Sequence, residues 1–183
     1  MKELSLNILD ITKNSVSAGA SQIDIFLDED SAGILKLTIR DNGCGMSEET
    51  LRGVTDPFYT TRTTRKVGMG LPLLKLAAEQ TGGGITIVSS DKVGESGTAL
   101  EATFDTASID YTPLGDIIST VCILIAGSPD IDFDFHDISP RGTVSLNTRE
   151  LKAVLGDVSL AEPEVQAWIR EYLEEQYSAL KTD

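Results

Sequence analysis

Apolar and polar positions change period several times along the chain. From residue 3 to about 18, Leu4, Ile8 and Ile11 recur at i, i+4 and i+7, with Leu9 and Val16 widening the stripe. That spacing predicts a helix with one buried face, and Gly19 supplies its stop signal. Residues 22–27 and 34–40 alternate polar and apolar side chains around an acidic turn at 28–33, which predicts two strands. Ser47 is a good N-cap for a short helix reaching Arg52. Residues 55–67 have little apolar periodicity and read as a mobile loop. Pro72 suits the first turn of a helix running from Leu73 to about Gln80, stopped by the glycines at 82–84. Residues 85–88 and 98–104 are the next strands, with a turn at 91–97.

The second half has its own pattern. Residues 113 to about 126 are apolar at helical spacing and end at Gly127. Ile131, Phe133 and Phe135 alternate with acids, residues 143–146 alternate too, and Arg141-Gly142 lies between them, so a hairpin is expected. Asn147 and Glu150 form a capping box for a short helix ending at Gly156. Pro163 opens a last helix whose stripe of Val165, Trp168, Ile169, Tyr172 and Leu173 is expected in the core. The fold class expected is α+β: a mixed sheet with helices on one face over residues 1–106, plus a small C-terminal α+β domain, helix–hairpin–helix, over 107–183. A doubly wound nucleotide fold is excluded, because no GxxxxGK[ST] occurs and Gly43-x-Gly45 lacks the third glycine of a dinucleotide fingerprint.

Composition narrows the function classes. The 183 residues suit one domain with an appendage or two small domains. No run approaches membrane-spanning length, the first residues lack a signal-peptide core, and the two cysteines make neither a metal pattern nor a disulfide framework, so a cytoplasmic protein is expected. A net charge of −14 disfavours nucleic acid as a partner. The charge is uneven: residues 107–183 hold 14 acids and 5 bases. Between Pro57 and Ala78 there is no acid, yet Arg62, Arg65, Lys66 and Lys75 fall there. That island is either a solvated loop or the seat of an anion.

The densest chemistry lies between Asp41 and Leu71. A strand delivers Asp41 to a turn whose Gly43 and Gly45 permit positive φ and let a flat ligand lie against backbone. Pro57-Phe58-Tyr59-Thr60-Thr61, the basic hinge, and Gly68-Met69-Gly70-Leu71 follow. Upstream, Asp10 and Asn14 stand one turn apart on one helix face. With Gly97-Thr98, this order resembles the GHKL ATPases, whose Bergerat fold is shared by DNA gyrase, a heat-shock chaperone class, histidine kinases and MutL. The likeness covers about residues 3–106 and is nearest to the ATP-binding domain of histidine kinases.

The resemblance implies a role for each matching residue. Asp41 would accept a hydrogen bond from the adenine amino group, a charge-assisted bond of about 1.5–3 kcal/mol. Gly43 and Gly45 would let backbone approach the base, and Thr98 would support the same edge. Asn14 would hold Mg²⁺, which takes hard oxygen ligands. Gly68 and Gly70, ahead of a helix N-terminus, would offer amides to phosphate. Arg62, Arg65, Lys66 and Lys75 would bring positive charge, with residues 62–67 as a short lid. Met46, Thr60, Thr61, Met69 and Leu71 belong to the same elements and count among the ATP contacts. Asp10 would be the catalytic base, in the place where hydrolytic members carry Glu. Its shorter side chain moves the oxygen by about 1 Å, a misplacement that can cost roughly 10²-fold in rate. Lys66 also stands where the usual lid signature has its first glycine.

The helical hairpin that carries the phosphoacceptor of histidine kinases is not found here. His136, the sole histidine, sits on an expected strand beside Asp132 and Asp134 and reads as an exposed strand residue. The expected function is an ATP-binding regulatory protein that phosphorylates a partner protein in trans. The alternative is an ATP-gated interaction switch with slow or no hydrolysis. A partner protein, as substrate or regulated factor, is implied by either, and a homodimer stays open.

Overall fold

The structure, a computed structural model, describes residues 3–55 and 69–182. In chain order these form α1 (Leu4–Ser17), β1 (Gln22–Glu29), β2 (Ile34–Asp41), α2 (Glu48–Gly53), α3 (Gly70–Gln80), β3 (Gly84–Ser90), β4 (Gly97–Asp105), α4 (Ile117–Gly127), β5 (Asp132–Ser139), β6 (Gly142–Asn147), α5 (Thr148–Leu155) and α6 (Pro163–Leu180). The strands make one mixed sheet ordered β3-β4-β2-β1-β5-β6. All neighbours are antiparallel except β1 and β5, which run parallel.

Alternation along the strands builds the core. Ile23, Ile25 and Leu27 of β1, Leu35, Leu37 and Ile39 of β2, and Leu100, Ala102 and Phe104 of β4 are buried on one face. Leu4, Ile8 and Ile11 of α1 cover them, as the i, i+4, i+7 stripe expects. Phe133 and Phe135 of β5 and Val144 and Leu146 of β6 continue the same layer, closed by α4 and by Val165, Ile169 and Leu173 of α6. The boundary expected at residue 106 falls between β4 and α4, and the sheet continues across it. Asp132 N donates to Ser21 O at 2.9 Å where β5 joins β1.

Three expectations need correction in the second half. The helix foreseen from residue 113 starts only at Ile117, capped by Asp116, which accepts Ser119 N at 2.9 Å. Residues 113 and 114 serve α1 instead: their carbonyls accept the N–H groups of Leu4 and Ser5 at 2.8 and 2.9 Å. A helix start leaves such donors without partners, and Glu3 makes no side-chain cap. The apolar stripe of α6 is split: Val165, Ile169 and Leu173 are core, while Trp168 and Tyr172 are exposed and stack on each other. His136 is half-buried, not exposed: its ring stacks on Phe26 at 5.0 Å and its Nε2 lies 3.0 Å from Asp134 Oδ1. The hairpin is present as expected, and Asn147 caps α5 by accepting the N–H groups of Arg149 and Glu150.

Candidate nucleotide site

Asp41 closes β2 with the same parity as Leu35, Leu37 and Ile39, so its side chain turns toward α1. There Ser15 Oγ donates to Asp41 Oδ2 at 2.6 Å, and Gly43 N donates to Oδ1 at 2.9 Å. A carboxylate has about four acceptor sites, so two such bonds orient it without saturating it. Asn42 pins the turn that follows: its Oδ1 accepts the N–H groups of Ser21 and Gln22, and its Nδ2 donates to Ser21 Oγ.

The glycines are steric requirements here. Gly45 has φ +67°, and a Cβ there would run into the Ser90 carbonyl. Gly43 is buried, and a Cβ on it would come within 2.9 Å of both Cβ and O of Ala18. Gly97 on β4 approaches the Asp41 carbonyl so closely that no Cβ fits.

The register pairs Asp41 with Thr98 across β2 and β4. Ser89 Oγ lies 2.8 Å from Thr98 Oγ1, accepts Met46 N at 2.8 Å and donates to Gly97 O at 3.0 Å. The Ser89–Thr98 hydrogen bond can run in either direction, since both are hydroxyls. Asp41 and Thr98 therefore stand side by side at one edge, with the Asp41 carboxylate fixed there as an acceptor.

Asp10 and Asn14 are both exposed on α1, the helix whose Ser15 holds Asp41. The start of α3 packs beside Asp10, and a Cβ on Gly70 would sit 3.3 Å from Asp10 Cβ. Met69, the N-cap of α3, makes no side-chain cap, and the positive end of a helix dipole favours an anion. Leu71 is buried, Met69 is exposed, and Met46 packs against the core. Lys75 is not gathered with this group: its Nζ pairs with Glu79 at 3.9 Å, toward the C-terminal end of α3. Thr60, Thr61, Arg62, Lys66 and Gly68 lie outside the described residues.

The sequence reading assigned no role to Ser15, Asn42 or Ser89. Ser15 carried a usable signal. It stands four residues after Ile11, on the buried side of α1, and a buried hydroxyl needs a partner. Ser89 and Asn42 act only through cross-strand neighbours, which periodicity does not reveal.

The sequence profile described as histidine kinase-, DNA gyrase B-, and HSP90-like ATPase matches residues 1–108. The C4-dicarboxylate transport sensor protein DctB of Pseudomonas aeruginosa is 40% identical over 32% of this chain and 10% of its own length. The DNA mismatch repair protein MutL of Listeria monocytogenes is 29% identical over 86% of this chain and 32% of its own. The chain thus spans a third or less of the length of these curated relatives. Among solved structures, the MutL ATPase domain of Aquifex aeolicus complexed with ADP superposes with a TM-score of 0.51 at 10% identity. That match covers 100% of this chain and 98% of the other, so the likeness in fold includes β5, β6 and α6. No helix among the described residues is long and apolar enough to cross a membrane.

Proposed function

Because the chain belongs to the histidine kinase-, DNA gyrase B- and HSP90-like ATPase family, we propose that it binds ATP with Mg²⁺ between α1, α3 and the end of the sheet and uses it as a switch for contacts with a partner protein. The observation that carries the reading is the Asp41 carboxylate, oriented by Ser15 and Gly43 and left with acceptor capacity to spare. Adenine presents an amino group there, and guanine a carbonyl. Asp41 would accept the amine proton while Ser15 and Gly43 hold the carboxylate in place. Contrary to the expectation that they open space for a flat ligand, Gly43 and Gly45 serve the packing of the turn itself: Ala18 and the Ser90 carbonyl fill the space their side chains would take.

The donor set also fits the metal. Mg²⁺ is commonly held by one or two protein oxygens together with substrate phosphates and waters. The exposed Asn14 amide oxygen and Asp10 carboxylate are oxygens of that class, on one face of α1, with Asp10 beside the start of α3. When bound, the metal supplies charge neutralisation for the phosphates. Asp10 would accept a proton from an attacking water or hydroxyl, and its short reach keeps turnover slow.

The gate is preferred to phosphotransfer because similarity to MutL runs over 86% of the chain, whereas that to two sensor proteins covers 49% and 32%. Phosphotransfer to a partner in trans is the second reading, favoured by the exposed carboxylate of Asp10. Calorimetry with ATP and magnesium tests the pocket. Asp41→Ala should weaken ATP by roughly 10- to 150-fold, the loss of one charge-assisted hydrogen bond; unchanged affinity would refute the reading. Incubation with γ-labelled ATP and a cell lysate separates the two uses. Label appearing on a lysate protein and vanishing with Asp10→Asn supports the kinase, and tight binding without transfer supports the gate.

A further inference from the structure

On the sheet face away from the nucleotide cleft, β5, β6, α5 and α6 enclose a groove of about 500 Å³. Asp134 and His136 lie in it because they alternate with the buried Phe133 and Phe135. Glu150 and Val154 of α5 and Trp168 and Tyr172 of α6 form its sides. The two α6 rings stack with centroids 4.9 Å apart and planes 12° from parallel. Trp168 remains 46% exposed and Val154 84%. An exposed, pre-stacked aromatic pair beside an exposed aliphatic side chain is a surface that binding would cover.

Charge says what covers it. Residues 107–183 hold 14 acids against 5 bases. Three of those bases are already paired, Arg149 and Lys152 with Asp132 and Arg170 with Glu174. Glu171 and Glu175 stand exposed on α6, three residues after Trp168 and Tyr172 and so on neighbouring helix positions. Negative side chains and the negative faces of Trp168 and Tyr172 all favour a cation, whereas phosphate groups and a second acidic copy of the same surface are repelled. We propose that this groove docks a Lys- and Arg-rich segment of a partner protein. One cation lies over the Trp168–Tyr172 surface within reach of Asp134 and Glu150, and an apolar neighbour of that residue rests against Val154.

The test uses the full chain and a fluorescein-labelled short peptide alternating arginine and leucine, read by anisotropy. A glutamate–leucine peptide is the control. The basic peptide should bind and the acidic one should not. Trp168→Ala should weaken binding about tenfold and Glu150→Gln about threefold. Glu48→Gln on α2, an equal charge change away from the groove, should leave it unaltered. Melting curves establish that each variant is folded, and the conservative Glu150→Gln carries the test if Trp168→Ala is not. Equal weakening by Glu48→Gln would reduce the binding to diffuse charge and overturn the site. So would Trp168-dependent self-association in sedimentation, or Trp168-dependent binding of anionic vesicles or an oligonucleotide. ATP affinity, measured in the same variants, reports on the nucleotide pocket separately.

Discussion

Asp41 owes its orientation to neighbours that contact it from two different elements. Ser15 reaches it from α1 and Gly43 from the turn after β2. Removing Ser15 Oγ leaves one oxygen of the carboxylate without its short 2.6 Å bond, free to rotate away from the base edge. Ser15→Ala should therefore weaken ATP by about tenfold or less, a smaller loss than Asp41→Ala, and should narrow the preference for ATP over GTP in paired titrations. A merely structural role would lower the melting temperature without changing that preference. Asp10 and Asn14, by contrast, face the cleft unburied, so their replacement should change chemistry more than stability.

At the scale of elements, the C-terminal helix is tied to the sheet by polar contacts as well as apolar ones. Gln176 pairs with both the N–H and the C=O of Ser145, occupying part of the edge that β6 would otherwise expose. Tyr177 OH donates to Asp137 Oδ2 at 2.6 Å. Burial pushes the Asp137 carboxyl above the ordinary carboxylate range, and the charge of Glu29 adds to the rise, while the Tyr177 bond opposes it. Burial pushes the Tyr177 hydroxyl up as well, and that of Tyr111 to about 12. A raised acid binds its proton more tightly in the folded chain than in the unfolded one. Its contribution to stability is thus complete below the unfolded value of about 3.9 and is lost as pH rises through the folded value. Asp137→Asn keeps an acceptor for Tyr177 and removes that loss. Its melting temperature relative to the parent should improve as pH rises above about 4, until the folded-state carboxyl is ionised; a constant difference would show that Asp137 does not titrate with folding.

The whole molecule is held together across its midpoint. β5 pairs with β1 through the register Gln22 with Asp132 to Asp28 with Ile138, and residues 113 and 114 satisfy the start of α1. The nucleotide turn and the second half also meet at Gln22. Its N–H donates to Asn42, and its side-chain oxygen accepts from Arg149 Nη2 at 3.0 Å. Ending the chain after residue 112 would strip α1 of its caps and leave β1 without a neighbour on one side. Such a fragment should show little near-ultraviolet circular dichroism and no cooperative melt, whereas the full chain should unfold in one transition. A fragment that melts cooperatively and binds ATP would refute this.

Local pattern settled much of this protein. Periods of two and of about 3.6 located the elements, and the residue types of the 41–46 turn with Asp10 and Asn14 pointed to the proposed site, because side-chain parity and backbone freedom are properties of short segments. Tertiary structure alone decided the rest. Whether residues 113–115 extend a helix or cap another depends on donors more than a hundred positions away. Which of Trp168, Ile169 and Tyr172 enters the core depends on where the edge strand stands, since five apolar residues on a helix cover more than one face. That Thr98 shares a hydrogen bond with Ser89 follows from the pairing of β3 with β4. Hydrogen-bond partners at long range are set by packing, and no periodicity along the chain encodes them.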